Sequence, residues 1–269
     1  MTEALNLVYQ TIDDQHAEKS AHTRRQLVAG AAATLGGMGL LGTAPEIADA
    51  RHTEDPQTIL NVAATAERIA TIINTVGAQN TLTSSEPNIV QARTNTRAAA
   101  RHEAIHEQVL TSPGIDGRPA ADVYWIPNSV FASPTALLST LEVGDQIFIN
   151  AYLIATTVFG NRGNGQLARI ASEFMGVEMV HRALARQALG KLGNDRVFAK
   201  YSQGEEARDA PNAGTPGFRR VSQAVTQLQA AGIGIGAQGA TPGQFYNFDP
   251  VSEAAPNVRV TDVNTIFPV

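Results

Sequence analysis

The chain has 269 residues, 43% of them hydrophobic and 17% charged, so it can bury a sizeable core and is not globally disordered. A net charge of −5 argues against a nucleic-acid binder or a polybasic membrane protein. With no cysteine, disulfide frameworks, thiolate zinc sites, iron–sulfur clusters and thiol nucleophiles are excluded, and any metal must be held by Asp, Glu or the six histidines.

Residues 1–50 read as an export signal. A polar, charged start leads to Arg24-Arg25, then to an uncharged Ala-, Gly- and Leu-rich stretch from Leu27 to Leu41, and then to Ala48-Asp49-Ala50. That order is a secretory signal with a peptidase site, and the paired arginines resemble a twin-arginine signal. The apolar stretch is shorter than the roughly 20 residues that span a bilayer, so no stable membrane span is expected.

Beyond Pro56, apolar residues from Ile59 to Ile73 recur at helical spacing, and Gly77 reads as the helix end. A second helix is expected from Asn88 to about Leu110, stopped by Ser112-Pro113-Gly114. Residues 113–132 read as a long connection. Ser133-Pro134 is an N-cap with proline at the first helical position, opening a third helix to Phe159. After a turn at 161–165, a fourth helix runs from Gln166 to about Leu189. Short turn, long crossover, short turn predicts two helical hairpins assembled into an all-α, four-helix bundle over residues 51–200. No segment before residue 200 shows period-2 alternation. Residues 201–269 read as an irregular C-terminal extension with one helix over 219–231, a flexible stretch from Gly232 to Gly243, and short strands such as Val258–Val260.

Two helices carry Glu-x-x-His: Glu103 with His106, and Glu178 with His181. That spacing sets both side chains on one helical face, a turn apart. The other two helices each supply one glutamate amid apolar neighbours, Glu67 and Glu142. Glu67 to Glu103 and Glu142 to Glu178 are each 36 residues. Four carboxylates in a dry interior would each cost several kcal/mol unless paired or coordinated, and two divalent cations balance them. A glutamate from each of two helices plus Glu-x-x-His from the other two is the ligand set of ferritin-like di-iron and di-manganese proteins. The metal ligands expected are therefore Glu67, Glu103, His106, Glu142, Glu178 and His181. Asp145, one turn after Glu142, is expected to orient a ligand imidazole. His102 and Glu107 fall on other helical faces and are expected in water, and Tyr152 is expected in the core.

The segments Ala64–Ala70, Arg101–His106, Leu141-Glu142 and Gly176–Arg182 resemble the ferritin-like domain family of exported bacterial proteins, some of them called desiccation-related. The resemblance covers roughly residues 54–192. It implies a four-helix bundle holding two iron or manganese ions, with iron ahead of manganese, and oxidase, ferroxidase or catalase-like chemistry on oxygen or peroxide. The alternative is a non-catalytic envelope or stress-protection scaffold. The partners expected are the twin-arginine export machinery, signal peptidase, the metal ions and the small oxidant. The destination is the periplasm, envelope or exterior, and the tail could hold a second copy in a homo-oligomer. Gly232–Gly236 lacks a strand–loop–helix frame for a nucleotide, and no Gly-x-Ser-x-Gly is present.

Overall fold

The computed structural model describes residues 54–200 and 215–255. The expected export signal over residues 1–50, residues 201–214 and the strand expected at Val258–Val260 lie outside the described residues. Four long helices dominate: α1 (Pro56–Asn80), α2 (Pro87–Leu110), α3 (Pro134–Asn161) and α4 (Gly165–Ala188). Local chemistry starts three of them. Asp55 accepts from the backbone N–H groups of Gln57 and Thr58, Ser133 from Ala136, and Asn164 from Leu167. Helices α1 and α2 pack as one hairpin and α3 and α4 as another, and the pairs meet along α1–α3 and α2–α4. Ile59, Ile69, Ile72, Leu137 and Ile170 fill the space between them. The chain is thus mostly helical, and none of the described helices is long and apolar enough to cross a membrane.

Three expectations change. Helix α1 does not end at Gly77 but continues to Asn80. A Cβ at Gly77 would lie 2.6 Å from the Leu137 methyls, so this glycine serves the close approach of α1 and α3.

The crossover holds a strand, β1 (Val123–Pro127), followed by a single 3₁₀ turn over Asn128–Phe131. Its two faces are both apolar, with Tyr124 and Ile126 fully buried on one and Val123 and Trp125 partly buried on the other, so the period of two leaves no polar alternation to read.

The tail is folded onto the bundle. After a short parallel pair, β2 (Ala199–Lys200) with β3 (Thr215–Pro216), come α5 (Ser222–Ala230), β4 (Gly234–Ile235), β5 (Gly243–Asn247) and α6 (Phe248–Glu253). Strand β1 lies between β4 and β5, antiparallel to both, with Tyr124 opposite Ile235 and Tyr246. The glycines that suggested flexibility let the backbone lie close to Trp125: a Cβ at Gly239 would sit 2.7 Å from its Cδ1. Helices α5 and α6 pack on α1. Glu54 accepts from Val221 N and Ser222 N, and Arg68 reaches from α1 to Glu107, Asp122 and the face of the Phe248 ring.

Candidate metal centre

Three glutamates at the middle of the bundle are sealed from water. Glu67, Glu103 and Glu178 are 0%, 1% and 1% exposed. Each faces into the bundle from its helix, Glu67 and Glu103 on stripes rich in alanine and Glu178 one turn after the buried Phe174. His106 and His181 follow Glu103 and Glu178 by one turn and are also buried.

Two groups of donors form within this cluster. One comprises Glu67, Glu103, His106 and Glu178, the other Glu103, Asp145, Glu178 and His181, with the donor atoms of each within 4.8 Å of one another. Glu103 and Glu178 belong to both, and each directs one oxygen to each histidine. His106 Nδ1 lies 3.5 Å from Glu103 Oε2 and 3.3 Å from Glu178 Oε1; His181 Nδ1 lies 3.1 Å from Glu103 Oε1 and 3.5 Å from Glu178 Oε2. Glu67 Oε2 completes the first group at 3.4 Å from His106 Nδ1.

The donors also fit an ion by what they lack. Glu67 Oε2, both Glu103 oxygens, Glu178 Oε1, Asp145 Oδ2 and the Nδ1 atoms of His106 and His181 are buried without a hydrogen-bond partner. Such orphaned groups are costly in an apolar interior. Donors ringing a first-row ion at about 2.1 Å are separated from one another by about 3.0–3.4 Å. The carboxylate–imidazole contacts here match that spacing.

Electrostatics report the same crowding. Burial, reinforced by Glu103 and Glu178, raises Glu67 well above the ordinary carboxylate range. Burial and then Glu178 do the same to Asp145. Burial alone would raise Glu103 too, but His181 and His106 outweigh it and hold Glu103 well below that range. Both imidazoles would be lowered by burial, yet Glu67 raises His106 and Glu103 raises His181 well above the usual histidine value.

Glu142 is not brought to this cluster. Its carboxylate contacts Arg186 Nη1 and Lys191 Nζ at 2.5 Å each, one turn along α3 from Asp145. The reason is the length of the connections. Residues 81–86 join α1 to α2, whereas only 162–164 join α3 to α4, so equal intervals along the chain are unequal along the helices. Discounting the loops shifts the counterpart of Glu67 three residues on, from Glu142 to Asp145. The carboxyl group expected to orient an imidazole therefore stands in the inner ring of donors.

Three neighbours make contacts that were not expected. Tyr152 is buried as expected, but its hydroxyl donates to Glu67 Oε1, leaving Oε2 to face His106. Glu107 is buried and paired with Arg68 rather than solvated. His102 is exposed, yet its Nδ1 lies 3.0 Å from His181 Nε2. Its place in the sequence, one residue before Glu103, suggests another helical face; only the reach of its side chain across to α4 brings it to the cluster. On the opposite flank, Phe174 stacks on the His106 ring with centroids 3.9 Å apart.

The described residues therefore include a buried Glu, Asp and His cluster that could hold metal. No protein-family model, no curated protein and no solved structure matches the chain.

Proposed function

We propose that the chain is an exported ferritin-like protein whose bundle binds two iron or manganese ions between Glu67, Glu103, His106, Asp145, Glu178 and His181. The observation that carries this reading is the pair of shared carboxylates. Glu103 and Glu178 each turn one oxygen to His106 and the other to His181, so the two carboxylates and two imidazoles would hold a pair of cations between them. Glu67 would complete the donors beside His106, and Asp145 those beside His181. Four carboxylates balance two divalent charges, which removes the repulsion that buried like charges otherwise impose.

When bound, such a pair of ions supplies the redox steps for reaction with oxygen or peroxide, as an oxidase, a ferroxidase or a catalase-like enzyme. The chain's own residues fix the geometry. Tyr152 pins one oxygen of Glu67, and Phe174 closes the flank of His106 to water. Arg24-Arg25 and the uncharged run after them support the twin-arginine route to periplasm, envelope or exterior.

A scaffold reading has one observation in its favour. Imidazoles raised by facing carboxylates can stay protonated and satisfy the cluster's charge without metal. Anaerobic titration with Fe(II) or Mn(II) separates the two. The metal centre takes up two ions per chain and gains about 2.7 kcal/mol of stability for each ion at a hundredfold excess over its dissociation constant. A chain that takes up neither ion and melts unchanged is the scaffold. Ferrous oxidation and peroxide consumption by the loaded protein then decide among the activities.

A further inference from the structure

We propose that His102 is a positioning residue that fixes the tautomer of His181 and so prepares the half of the centre next to Asp145. The inference rests on the two-metal reading above. A neutral imidazole carries one proton on one of its two nitrogens, and only the other nitrogen can hold a cation. His181 turns Nδ1 to Glu103 and Glu178, so its proton belongs on Nε2, which needs an acceptor. That nitrogen lies 3.0 Å from His102 Nδ1. The two rings are inclined by only 6° with centroids 5.2 Å apart. This leaves little more than a ring radius on either side of the N···N contact, so the rings lie edge to edge in a common plane. The hydrogen bond therefore runs along the lone-pair direction of His102 Nδ1, and His102 keeps its own proton on Nε2.

The acceptor for a metal-bound histidine is ordinarily a carboxylate, a backbone carbonyl or water, and its loss weakens the metal site. Here a surface imidazole takes that role for His181, while His106 is held by the Phe174 ring. The halves are thus supported unequally: packing holds one ligand and a surface hydrogen bond orients the other.

The test is anaerobic Mn(II) loading of the full chain, counted by metal analysis and read by electron paramagnetic resonance, for wild type, His102→Ala and His102→Asn. Asn places a carbonyl oxygen where His102 has Nδ1. Wild type should bind two ions with the signal of a coupled pair. His102→Ala should bind the first ion normally and the second about 10- to 100-fold more weakly, leaving the six-line signal of an isolated ion. His102→Asn should restore the coupled pair. Two ions of unchanged affinity in His102→Ala, equal weakening of both, or failure of Asn to rescue would each overturn the role. If wild type itself binds no Mn(II) or Fe(II), the two-metal reading falls, and this inference with it.

Discussion

Asp145 and Glu142 stand one turn apart on α3 and face opposite electrostatic surroundings, so neutralising each has opposite consequences. Glu142 is embraced by Arg186 and Lys191, which outweigh burial and hold its carboxyl below the ordinary glutamate value of 4.5. Glu142→Gln should cost about 1–3 kcal/mol at neutral pH and leave metal uptake unchanged. A carboxyl depressed on folding contributes stability above its unfolded value and loses it as pH falls through the folded one. The deficit of Glu142→Gln should therefore be full at neutral pH and close below pH 4.5, measured as unfolding midpoints across that range. Asp145 is raised by burial and by Glu178, so Asp145→Asn should leave the metal-free protein as stable or more stable. It should also weaken uptake of one ion. If Glu142→Gln loses metal and Asp145→Asn does not, the placement of the two carboxylates is wrong.

The helices were legible because their signals are local: Ser133-Pro134 at the start of α3, and apolar residues at helical spacing along the chain. Glu103, His106, Glu178 and His181 could be picked out because Glu-x-x-His is also local, and Glu67 because it stands as a lone glutamate amid apolar neighbours. The sequence did not separate Asp145 from Glu142, because loop length enters the interval, nor could it place His102, whose partner lies on another helix. The glycines divide the same way. Gly77 reads as a helix stop until Leu137 is set against it, and Gly232–Gly243 reads as flexible until Trp125 is. A Cβ at Gly239 would lie 1.9 Å from the Gly232 carbonyl oxygen, where backbone must move. Gly239→Ala should therefore cost about 1–3 kcal/mol and loosen the β4–β1–β5 sheet. Gly176, exposed in mid-α4 with nothing within 4 Å of its added Cβ, gives the contrast. Gly176→Ala should stabilise by up to about 1 kcal/mol. Chemical denaturation of the two variants checks both signs, and equal effects would discount the sheet's close packing.

At the scale of the molecule, the twin-arginine reading and the closed bundle bear on each other. A centre sealed from water and approached by four helices is best filled before or during folding, and a route that carries folded proteins would deliver it loaded. Replacing Arg24 and Arg25 by lysine should keep the precursor in the cytoplasm with its bundle folded and its metal content unchanged. Fractionation with metal analysis measures this. Unchanged recovery outside the cytoplasm would reject the route, whatever the metal content.

The central position of β1 has a consequence for how the chain is made. Trp125 Nε1 donates to the carbonyl of Thr241, 116 residues away, and both neighbours of β1 come from beyond residue 230. On a ribosome the helices can pair with their near neighbours as they emerge, since such contacts are short-range and quick to form. Strand β1 has no partner until β4 and β5 arrive. For that interval the unpaired backbone groups along its edges are a template, the kind of surface that invites pairing with another chain. The sheet is thus completed only when the tail arrives, after the helices have met their near neighbours.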